Sequence, residues 1–117
     1  MHLKENFDPK RDYLVHFDDN YADEFDLEGF LLLTGAELQT IQDLLFEHRT
    51  PIDEIYFGTN EWVDYENGLD LWDHITWQPL ITSEAGVIRK YFGDQYGFGR
   101  LFTRALEAIE YRKSKKK

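Results

Sequence analysis

Phe30-Leu31-Leu32-Leu33-Thr34-Gly35-Ala36-Glu37-Leu38 holds the turning point of the chain. Up to Leu33 the segment that starts at Phe25 is apolar enough to predict a buried strand over 25–33. Thr34 and Glu37 then stand three apart, the spacing of a capping box. The threonine oxygen accepts from a first-turn N–H while the glutamate reaches back to the cap's own N–H. Leu38, Ile41, Leu45 and His48 recur at helical spacing, and Leu44 widens the stripe. Pro51 bars continuation, so this helix is expected to end near Arg49.

Working outward, Tyr13-Leu14-Val15-His16-Phe17 alternates as a half-buried strand does, and an acid-rich connection separates it from the strand at Phe25. After Pro51, Ile55-Tyr56-Phe57 and Trp62-Val63-Asp64-Tyr65 flank Gly58-Thr59-Asn60, which predicts a hairpin with a short turn. Leu69 to His74 suits a short helix and Ile75 to Ile81 a strand, placed at a sheet edge because Pro79 cannot donate to a ladder. Ser83 is the expected cap of a helix through Phe92, closed by Gly93. A glycine-rich link, Gly93 to Gly99, leads to a last helix with Leu101, Phe102, Ala105, Leu106 and Ile109 on one side. The order predicts an α+β fold: one small domain over 1–112, with a mainly antiparallel sheet of about five strands and two to three packed helices. Residues 113–117 read as a basic flexible tail.

Charge is segregated along this framework. Between Asp12 and Ile88 eighteen carboxylates face a single cation, Arg49, whereas residues 89–117 hold nine cations against three acids. A field so one-sided steers encounters with oppositely charged partners. Hydrophobic content of 42% with 16% aromatics is well above that of disordered acidic chains, so a folded domain is expected. The absence of cysteine rules out disulfides and thiolate metal sites, and leaves the cytoplasm, of a bacterium or a phage-infected cell, as the expected compartment. The longest apolar run, Phe30 to Leu33, is far short of a membrane span, and the N-terminus lacks the layout of a signal peptide.

Six acids fall within the eleven residues from Asp18 to Glu28. They fail the calcium-loop pattern, since Ala22 and Asp23 stand where a ligand and a glycine are needed. Aromatic residues interleaved with acids instead suggest an interface, in which rings anchor within a polar rim. The candidate partner-binding residues are Asp18, Asp19, Tyr21, Asp23, Glu24, Asp26, Glu28, Glu61, Trp62, Asp64 and Tyr65. Trp72 is expected in the core with Phe17, Phe57 and Phe102. Catalytic patterns are weak. Ser83 reads as a cap and Ser114 lies in the tail, so no serine–histidine pair forms. Asp70 and His74, one helical turn apart, suit a surface pair better than a metal site, and His16 reads as structural. The glycines from Gly93 to Gly99, followed by Arg100 and Arg104, match neither phosphate-loop spacing and read as a link between helices.

Asn20-Tyr21-Ala22-Asp23-Glu24-Phe25-Asp26 and Tyr56-Phe57-Gly58-Thr59-Asn60-Glu61 are similar in type to segments of small inhibitors encoded by phages and mobile elements, and of toxin-immunity proteins. That resemblance implies a protein that blocks a basic, often nucleic-acid-binding, target. The expected function is therefore a non-enzymatic acidic inhibitor in which carboxylates stand where phosphates otherwise bind, a DNA mimic used in counter-defence. An immunity protein capping a cognate nuclease toxin is the alternative among binding proteins. A metal-dependent enzyme or a structural subunit is the alternative from another class. No cofactor, catalytic residue, metal or membrane contact is expected, nor direct binding of duplex DNA, whose phosphates the acidic body repels. A homodimer is compatible with the sequence.

Overall fold

The structure is a computed structural model that describes residues 3–21, 25–58, 64–97 and 99–115, with the backbone alone at 20, 21, 25–27 and 115. Strand alternation in β1, Asp12–Tyr21, and β2, Phe25–Thr34, pairs them antiparallel from Asp12↔Thr34 to Tyr21↔Phe25. Helix α1, Gly35–Glu47, starts on the expected capping box: Thr34 Oγ1 accepts from the Glu37 N–H at 3.2 Å, and Glu37 Oε1 accepts from the Thr34 N–H at 2.9 Å. Next come β3, Ile52–Asp53, the single-turn helix α2, Glu54–Phe57, and β4, Asp64–Tyr65, which pairs with β3. Helix α3, Gly68–Trp72, leads to β5, Ile75–Leu80; α4, Thr82–Phe92, β6, Gln95–Gly97, and α5, Gly99–Lys115, complete the chain.

The main sheet has the antiparallel order β5-β1-β2-β6, with the proline-bearing β5 at an edge as its sequence requires. One face carries Tyr13, Val15, Phe17 and Leu31 into the main core, where Leu38 and Leu45 of α1, Phe57 of α2, Leu71 and Trp72 of α3, and Phe102, Ala105 and Ile109 of α5 close over them. The other face buries Leu32 and Leu80 under Ala85 of α4, with Leu14 and Ile88 beside them. Helix α4 covers this face at these residues, and its last turn reaches Phe30. The N-terminal segment is held by the fully buried Gln42, whose Oε1 accepts from the Glu5 N–H at 2.7 Å and whose Nε2 donates to the Glu5 carbonyl at 2.9 Å. Phe7 then packs edge-on against Tyr13 and Trp77.

Four expectations are corrected. Ile55-Tyr56-Phe57 forms helix, not a hairpin strand. Asp53 Oδ1 caps the Ile55 N–H at 3.1 Å and Gly58, at φ 65°, ends the turn in the left-handed region, so strong local caps override β-prone side chains. Ser83 is not the cap of α4: the helix begins at Thr82, and Glu84 Oε1 accepts from the Ile81 N–H at 2.9 Å. The acid-rich connection after Phe17 is largely strand, because β1 and β2 keep their ladder through Asp18↔Glu28 and Asn20↔Asp26. The basic end is helical to Lys115, and Lys113 Nζ reaches Glu47 Oε2 at 2.6 Å, so residues 113–115 belong to α5 rather than to a tail.

Candidate interaction surface

β5 pairs with β1 only from Asp12 to Phe17, and β6 pairs with β2 only from Gly29 to Leu31. Beyond those limits Asp18–Tyr21 and Phe25–Glu28 continue as a two-stranded arm, flanked by no other strand among the described residues. The arm is anchored where the Asp18 N–H donates to the His74 carbonyl at 3.0 Å. Side chains alternate across a strand, so its two faces have different fates.

One face turns into the protein. Asp19 is 8% exposed and Tyr65 2%, and the tyrosine hydroxyl donates to Asp19 Oδ2 at 2.6 Å. His74 Nδ1 stands 3.8 Å from Asp19 Oδ1, and Phe17 packs against both Tyr65 and His74. Burying a carboxylate is costly without hydrogen-bond partners, and this pairing offsets that cost. Asp19 and Tyr65, expected at a contact surface, are thus corrected to buried structural partners that tie β1 to β4.

The opposite face is open. Its rungs run Asp18↔Glu28, His16↔Phe30 and Phe30↔Tyr96. Asp18 is exposed, the Glu28 side chain is 64% exposed, and His16 Nε2 lies 3.5 Å from Glu28 Oε1. Past this acidic end stands a cluster of three rings. Phe30 stacks on Tyr96 with centroids 5.5 Å apart and an interplanar angle of 18°, while Phe92 meets Phe30 and Tyr96 edge-on at 6.2 and 6.1 Å. Phe92 is 56% exposed and Tyr96 54%, although each carries a large apolar body. The cluster exists because β6 lays Tyr96 beside Phe30 and the last turn of α4 brings Phe92 over them. Gly97 makes that close approach: a Cβ there would lie 2.6 Å from the Glu28 carbonyl, and its φ of 60° suits glycine. On the rim, Arg89 Nε donates to Asp94 Oδ1 at 2.9 Å.

Of the sequence-derived candidates, Asp18 and Glu28 share this open face. Asp26 falls opposite Asn20 and Tyr21 opposite Phe25 in the ladder. Asp64 is exposed on β4, in the separate two-stranded sheet, where it pairs with Asp53. Asp23, Glu24, Glu61 and Trp62 lie outside the described residues. Trp72, Phe17, Phe57 and Phe102 are buried as expected. Sequence reasoning missed Phe30, Phe92 and Tyr96. The available signal was that Phe30 alternates away from Leu31 and Leu33, which face the α1 side.

Asp70 and His74 do not form a site together. Asp70 caps the turn before α3 by accepting from the Glu66 N–H at 2.9 Å, while His74 turns toward Asp19. Among the described residues no three His, Asp or Glu side chains gather around a position for a metal ion, and no helix is long and apolar enough to cross a membrane. Compared with protein-family models, curated proteins and solved structures, the chain matches none of them.

Proposed function

We propose that this chain is an acidic inhibitor that binds a basic surface of a nucleic-acid-handling protein. The observation that carries it is the continuity, on one open sheet face, of the carboxylates Asp18 and Glu28 with the half-buried Phe30 and the exposed rings of Phe92 and Tyr96. Interfaces place aromatic anchors beside polar groups, and the rings supply desolvated contact while the charges set orientation and encounter rate. Against a cleft evolved for phosphates, the acids meet the lysines and arginines that a nucleic acid would otherwise meet. The formal charge of −10 adds a long-range pull toward such a cleft.

The test is capture of partners from a host lysate at low ionic strength, followed by elution with salt and competition with nucleic acid. The expected outcome is a basic protein that releases its nucleic acid as it binds this chain. Recovery of the same partner by the double variant Asp18→Asn, Glu28→Gln, with no change in affinity, would exclude this face as the contact.

A further inference from the structure

Arg49 is the single cation between Asp12 and Ile88, surrounded in sequence by eighteen carboxylates, yet among the described residues it makes no hydrogen bond or ion pair. It lines a groove of about 520 Å³ between the end of α1 and the last turns of α5, together with the carboxylate Glu47 and with His48, Thr50, Arg112 and Lys113. Leu44 and Ile109 supply apolar lining. His48 Nε2 and Thr50 Oγ1 are 3.2 Å apart. The Arg112 guanidinium lies over the Tyr56 ring at 4.3 Å from its centroid and donates to the Tyr56 hydroxyl at 3.3 Å.

Cations gather at helix C-termini to offset the partial negative charge there, and that accounts for part of this cluster. It does not account for Arg49. The His48 carbonyl already accepts from the Gly68 N–H at 2.9 Å, and Lys113 is neutralised by Glu47 at 2.6 Å. Tyr56 holds Arg112 in place, so two guanidinium groups line one groove beside the hydrogen-bonded pair of Thr50 and His48.

We infer that this groove binds a small phosphate monoester with a short aliphatic body. Guanidinium forks match phosphate oxygens in pairs, and Leu44 and Ile109 accept the organic part. The volume lies within the range of small-molecule sites, about 300–1,000 Å³. Tyr56 has given a ring face to Arg112, so the groove favours an aliphatic body over a stacked base. This site is independent of the proposed inhibitor face and stands whether or not that face binds a partner.

The experiment is a heteronuclear NMR titration of the full chain at neutral pH with inorganic phosphate and, separately, with glycerol 3-phosphate. Saturable shifts at His48, Arg49, Thr50 and Arg112 are expected, with glycerol 3-phosphate binding more tightly than phosphate alone. Arg49→Gln, an exposed change that leaves the fold intact, should weaken both by about tenfold. Equal affinity for the two ligands would assign the site to free phosphate and overturn the organic-body part. No saturation by about 20 mM ligand, or an unchanged Arg49→Gln titration, would overturn the site itself. Concentration-dependent association of the chain without phosphate, abolished by Arg49→Gln, would also overturn it and give the groove to the acids of a second copy.

Discussion

At the scale of single residues, neighbouring acids on one strand do opposite work. Asp18 and Asp19 differ by one position and therefore by one face. Removing the hydroxyl that serves the buried member should be costly: Tyr65→Phe is expected to lower stability by about 1–3 kcal/mol, because Asp19 loses its 2.6 Å donor in a place water reaches poorly. Asp18→Asn should leave stability unchanged or slightly raised as like-charge repulsion falls. Urea unfolding of the two variants separates them, and equal losses would contradict the assignment of faces. Tyr96→Ala addresses the ring cluster. Since Tyr96 is 54% exposed, its loss should cost about 2 kcal/mol or more of partner binding. The folding cost should stay near the worth of an aromatic pair, about 0.5–1.5 kcal/mol. A large drop in stability with unchanged affinity would make the cluster a packing device.

At the scale of elements, several local cap and stop signals were legible, though the Asp53 and Gly58 caps of α2 and the true start of α4 were not. Thr34 with Glu37, Pro51 after α1, Pro79 in an edge strand and Gly93 after α4 each do in the structure what their chemistry dictates. Thr34→Ala should accordingly cost about 1 kcal/mol by thermal unfolding. What stayed illegible was short or long-range. Helix α2 is a single turn, too brief for periodicity to show against the β-prone Ile55, Tyr56 and Phe57. Strand β6 is three residues within a glycine-rich link, and only its pairing with β2 makes Tyr96 part of a surface. The acids after Phe17 suggested a loop because charge outweighed their alternation. The bond between Asp19 and Tyr65 joins residues 46 apart, and nothing in the order of residues announces it. Element packing yields one further expectation. Gly68 lets α3 approach the end of α1 so closely that a Cβ would fall 1.8 Å from the Leu45 carbonyl. Gly68→Ala should therefore cost about 3 kcal/mol through forced backbone movement. A melting temperature equal to that of the parent would show that the two helices are not held at this distance.

At the scale of the whole molecule, charge segregation and fold act together. The long β1–β2 ladder holds Asp18 and Glu28 apart from the covered end of the sheet, while the basic α5 packs on the opposite face over Phe17 and Val15. The helix-covered side is mixed in charge, since Lys113 of α5 pairs with Glu47 of α1. The open acidic face alone is proposed to meet a target. Surface charges farther apart than the Debye length, about 8 Å at physiological ionic strength, are largely screened, so a contact built on them must respond to salt. The most direct test is a titration of this chain into its captured partner, preloaded with nucleic acid, across a series of salt concentrations. The account predicts that the chain displaces the nucleic acid at low salt and that its affinity falls steeply as salt rises. Affinity unchanged across the series, with the nucleic acid still bound, would contradict it.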